Sequence, residues 1–126
     1  MEDSVKPSER RASARYALHL IGTGALLHRN LPGSDQFEVR CLNISLGGLM
    51  VTMDPDVRYG DVIRVVLIQP ADFSTITFEC TIQWLRRNTG NVMGRYFAGL
   101  SFRQASVDTV QILLDHAMKT SPIPEP

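Results

Sequence analysis

With 126 residues, a hydrophobic share of 44% and a charged share of 21%, the chain has the size and composition of one soluble domain around a single core. Its formal net charge is zero, which excludes the uniformly basic balance of proteins that coat nucleic acid and leaves any positive potential local. No charged-then-apolar export signal opens the sequence and no apolar run is long enough to span a bilayer, so a cytoplasmic location without membrane insertion is expected.

Residues 1–9 are mostly polar, include Pro7, and are expected to form a flexible segment. Arg10, Arg11 and Arg15 follow within six residues, separated by side chains too small to cover them. Each guanidinium is a planar fork of donors that matches phosphate oxygens and the edge of a guanine. On their own these arginines have two readings, a solvated basic terminus or an anion-grasping arm. Tyr16 to Leu27 is predicted as a first strand, with glycines at 22 and 24 admitting a bend or bulge. After turn formers at 30–35, period-two alternation predicts a second strand over Phe37 to Asn43. Leu49 to Met53 and Val62 to Gln69 give the third and fourth strands.

In the fifth strand Ile76, Phe78, Cys80, Ile82 and Trp84 share one face, the pattern of a half-buried antiparallel strand. Arg86 to Asn91 reads as a hairpin loop, and Tyr96, Ala98, Leu100 and Phe102 line the core face of the sixth strand. The period then changes. Ser106 can cap a helix whose stripe is Val107, Val110, Leu114 and Ala117, widened by Leu113 and Met118. Residues 120–126 hold three prolines and are expected as a loose tail. The sum is a mainly β fold: a small six-stranded antiparallel β-barrel with a C-terminal α-helix, one domain over residues 10–119.

No catalytic or metal chemistry assembles from these residues, and an enzyme is not expected. His19, His28 and His116 lack metal-ligand spacing to one another or to Cys41 and Cys80, which are expected to be buried and reduced. Phosphate-loop and serine-nucleophile signatures are absent from the sequence. Asp54, Asp56, Asp61 and Asp72 stand in turn neighbourhoods, where carboxylates cap backbone amides. Trp84 and the Phe78 row are read as core rather than as a stacking platform. The corner Asn43-Ile44-Ser45-Leu46-Gly47-Gly48 is more informative. Asn43 and Ser45 share parity, an amide and a hydroxyl both donate and accept as a purine edge requires, and Gly48 permits a tight turn or a close ligand. A merely polar hairpin corner is the other reading.

Arg11-x-x-x-Arg15 followed by Asn43-x-Ser45-x-x-Gly48 closely resembles the PilZ domain family. Downstream, Gly60-Asp61-Val62-Ile63, Ile82-Gln83-Trp84 and Gly99-Leu100-Ser101-Phe102 resemble the family's central, tryptophan-bearing and closing strands, over about residues 9 to 118 in all. The resemblance implies a split-barrel-type fold and a bacterial receptor for cyclic di-GMP, with no further cofactor. Arg11 and Arg15 would meet the phosphates and the guanine O6 and N7 edge, Asn43 and Ser45 would bond to guanine or nearby backbone, and Gly48 would leave room for the base. Asn43 stands where many members carry Asp, keeping the acceptor oxygen and losing the charge. Arg10, directly before the first motif arginine, implies capture of two stacked cyclic di-GMP molecules per chain, the alternative being a solvated neighbour. The implied output is ordering of the arm, read by an unidentified downstream protein, from a monomer or weak dimer with no DNA or RNA partner. Two rival readings are an adaptor of the same fold that binds no nucleotide and a barrel for single-stranded nucleic acid. The second calls for exposed aromatics interleaved with basic residues.

Overall fold

The computed structural model describes residues 14–28, 36–54, 57–69, 72–90, 94–104 and 107–125. Among the described residues six strands, β1 (Tyr16–Leu26), β2 (Phe37–Ile44), β3 (Gly48–Met53), β4 (Val62–Ile68), β5 (Thr75–Arg87) and β6 (Tyr96–Gln104), precede one helix, α1 (Val107–Thr120). They close in the order β1-β2-β3-β6-β5-β4, every neighbouring pair antiparallel and β4 returning to β1. Among the described residues closure leaves no row of unpaired strand amides, which removes the template for edge-to-edge association.

The inward rows are those that alternation marks. Ile63, Val65 and Leu67 of β4 and Phe78, Cys80 and Ile82 of β5 are fully buried, and the rings of Phe78 and Phe102 lie 4.9 Å apart. α1 lays Val110, Leu113, Leu114 and Ala117 against the barrel, chiefly over β1. Val107 and Met118 of the expected stripe are instead 76% and 40% exposed. Both fall on the flank beyond Leu114, outside the arc that meets the sheet. β5 also runs on through Arg86 and Arg87, which pair with Phe97 and Tyr96 rather than forming the loop. The irregularity in β1 lies between Ala17 and Leu20 rather than at Gly22 and Gly24. No helix among the described residues is long and apolar enough to cross a membrane.

Turn carboxylates behave as their neighbourhoods imply. Asp54 accepts from the Arg95 amide (3.0 Å), Asp61 from the Arg58 amide (2.7 Å) and Asp72 from the Ser74 amide (3.0 Å). Asp56 lies outside the described residues.

Cys41 and Cys80 are buried free thiols. Burial pushes both up from 9.0 to about 12, the Glu79 charge adding to the effect at Cys80. Below pH 9 the thiols are protonated in folded and unfolded chains alike, and their contribution to stability is fully present. As pH rises from about 9 towards 12 the unfolded chain loses protons that the folded chain retains, so stability falls. At pH 8 a thiol-specific disulfide reagent is expected to label neither cysteine in the native protein and both in denaturant. Rapid native labelling of either one would contradict its burial.

Candidate ligand-binding site

A cleft of about 200 Å³ lies where the β2–β3 corner meets the β5–β6 ladder, with Arg15 at its margin. Two register shifts build it. In β2, Val39 and Cys41 point into the core, and unbroken alternation would send Asn43 after them. A bulge between Cys41 and Asn43 hands the inward position to Ile44, which is fully buried, and turns Asn43 towards the cleft. Extra residues in a strand re-aim side chains in this way. In β5 a second shift, between Ile82 and Trp84, does the same for Trp84. Trp84 is therefore half-buried at the cleft rather than the last member of the core row.

The indole lies against β6 because position 99 is glycine: a Cβ there would overlap the indole's pyrrole edge. The Arg86 guanidinium stands 5.6 Å from the Trp84 ring centroid and 5.4 Å from that of Phe97, within reach of both aromatic faces. Beside it the Gln83 side-chain amide donates to the Ser101 hydroxyl at 2.8 Å.

The corner itself is a tight turn. The Ser45 amide donates to the Gly48 carbonyl (3.0 Å), the Gly47 amide to the Ser45 hydroxyl (3.2 Å), and the Phe102 amide to the Gly47 carbonyl (3.0 Å), which ties the corner to β6. A Cβ on Gly48 would overlap the Leu100 carbonyl. Close approach at Gly48 is thus first a matter of strand on strand, while the residue also borders the cleft.

Asn43 is 7% exposed, and its amide nitrogen donates to the Glu125 carboxylate (2.9 Å) and towards the Met50 sulfur (3.4 Å). The Glu125 amide in turn donates to the Arg15 carbonyl (2.8 Å), an isolated antiparallel bridge. Residues 121–125 therefore run back from α1 to Arg15 and Asn43, two residues that border the cleft. Of the six residues singled out from the sequence, Arg15, Asn43, Ser45 and Gly48 meet around this cleft, and Arg10 and Arg11 lie outside the described residues. Gln83, Trp84 and Ser101 were not anticipated there, nor was the contact of Glu125 with Asn43 and Arg15. Consecutive Trp84 and Leu85 break the alternation of β5 and are the one sequence signal of the second shift. Among the described residues no group of three His, Cys, Asp or Glu side chains could hold a metal ion.

Among the described residues, a closed six-stranded barrel with one covering helix and a cleft at the β2–β3 corner defines a small β-barrel module. The PilZ domain family model matches residues 9–119, and the chain belongs to that family. No curated protein sequence matches it. Among solved structures it is similar to the Bacillus subtilis inhibitor of motility MotI/DgrA, with TM-score 0.67 and 16% identity over 95% of this chain and 55% of that one. The PilZ domain of Escherichia coli YcgR, solved with c-di-GMP, superposes with TM-score 0.62 and 13% identity over 87% of this chain and 90% of that one. MrkH of K. pneumonia, solved as a c-di-GMP complex, gives 0.64 and 17% over 88% and 53%. The chain thus spans about half the length of the motility inhibitor and of MrkH. At these identities the likeness is one of fold.

Proposed function

We propose that this protein is a receptor for cyclic di-GMP. The observation that carries the reading is that Arg15, Asn43, Ser45 and Gly48, spread over more than thirty positions of sequence, border one cleft. Cyclic di-GMP is a compact dianion with two guanine edges. Arg11 and Arg15 bind its phosphates and the O6/N7 edge, and Asn43 and Ser45 hold a guanine against the barrel. Hydrogen bonds to charged groups contribute about 1.5–3 kcal/mol each. Several of them offset the about 1–2 kcal/mol per residue needed to order a short arm. The arm over residues 10–15 closes on the ligand, and the closed arm is the surface that a downstream protein reads. The module signals by binding and not by catalysis, and works inside a bacterial cell.

Titration calorimetry with cyclic di-GMP, competed by GTP and by single-stranded RNA, tests this. Saturable binding that neither competitor displaces is expected, and displacement by RNA would support the nucleic-acid reading instead. No saturable binding at all would leave a protein-contact adaptor. The stoichiometry is expected to be two ligands per chain, with Arg10 meeting the second by stacking on a guanine or reaching its phosphates. Arg10→Ala is then expected to reduce the ratio from two to one; a wild-type ratio of one would remove Arg10 from the site.

A further inference from the structure

The contact between Glu125 and Asn43 has no part in holding cyclic di-GMP, yet it engages a residue assigned to that task. We propose that residues 121–125 are a tethered competitor, an autoinhibitory strap that engages Asn43 and Arg15 at the border of the cleft in the empty protein and leaves when ligand enters. The inference rests on the receptor reading above.

Three observations converge on it. The Glu125 carboxylate accepts from the Asn43 amide nitrogen at 2.9 Å and Met50 takes that nitrogen's other contact, so a side chain assigned to the guanine is already held in place. The Glu125 backbone amide bonds to the Arg15 carbonyl at 2.8 Å, so the strap also engages the last residue of the arginine arm. A carboxylate bonded to Asn43 at the border of a site for a dianion opposes the incoming phosphates.

The tether makes the competition effective. The Ser121 amide donates to the Ala117 carbonyl at 2.8 Å, fixing the start of the strap to the end of α1. Four residues from that anchor reach at most about 14 Å, so Glu125 samples only the neighbourhood of the cleft, at an effective concentration on the order of millimolar or above. Pro122 and Pro124 narrow the conformations of the undocked strap, so docking forfeits little backbone freedom. A strap docked in about nine molecules of ten weakens apparent affinity about tenfold.

Two measurements on the full chain test the proposal. Glu125→Ala is expected to tighten cyclic di-GMP binding about tenfold by calorimetry. In hydrogen exchange, the Glu125 amide of the ligand-free wild type is expected to be protected, and to lose that protection at saturating cyclic di-GMP. Unchanged or weakened binding by Glu125→Ala, with the wild type binding normally, overturns the strap and leaves the receptor standing. Protection of Glu125 that persists at saturation also overturns it, because strap and ligand would then be bound together. If neither wild type nor Glu125→Ala binds cyclic di-GMP, the receptor reading itself has failed.

Discussion

Arg15→Ala is expected to weaken cyclic di-GMP binding by about a hundredfold while barely moving the thermal midpoint. Losing one fork to a phosphate or guanine edge removes about two charge-assisted hydrogen bonds, and about 2.7 kcal/mol corresponds to a hundredfold change in affinity. The Arg15 backbone carbonyl bonds to the Glu125 amide, and alanine keeps that carbonyl. Arg15→Lys separates charge from shape, because lysine keeps the charge and loses the paired geometry. It is expected to recover only a small part of the affinity and to show a steeper fall with added salt. Binding by Arg15→Ala at wild-type strength would remove the residue from the site and take the arm hypothesis with it. Arg11→Ala is expected to behave like Arg15→Ala in the same titration.

Much of the fold is legible in the sequence because burial on one face of a strand writes a period of two. Phe78, Cys80 and Ile82 are placed correctly by that rule, as are Ala98 and Leu100, and the change to helical spacing near Val107 marks where the sheet ends. Legibility fails where a strand stops obeying its own period. Strict alternation sends Trp84 inward with Phe78, and only the register shift after Ile82 turns it to the cleft. Asn43 is the opposite case: alternation from Val39 and Cys41 would bury an amide in the core, and the bulge that prevents this also delivers it to the cleft. A polar residue on an inward parity, or two adjacent apolar residues late in an alternating run, is the sequence mark of such a shift. Glu125 has no mark at all. Nothing local distinguishes a carboxylate between prolines in a tail from one bonded to an amide 82 positions away.

Gly48→Ala is expected to lower stability by about 3 kcal/mol or more, near the upper end of what overpacking does in a core. The reason is the position of the Leu100 carbonyl, which a Cβ would overlap. A backbone atom cannot swing aside as a side chain tip can, so β3 must move off β6 through the paired residues Leu49 and Leu100. That movement strains the bond from the Phe102 amide to the Gly47 carbonyl and with it the corner that presents Ser45. In a domain of this size the midpoint should fall by about 10 °C or more. Gly47→Ala is the matched control: a Cβ there meets only the Ser45 hydroxyl at 4.0 Å, and its effect on stability should stay within about 0.5 kcal/mol. The pair separates two roles that the motif runs together. If Gly48→Ala unfolds early, its weakened binding reports a damaged barrel, and the glycine is there because β3 and β6 approach too closely for a side chain. If instead the midpoint holds and only affinity falls, clearance for a base is the reason for the glycine, and the overlap with Leu100 is relieved by a small shift of the strands.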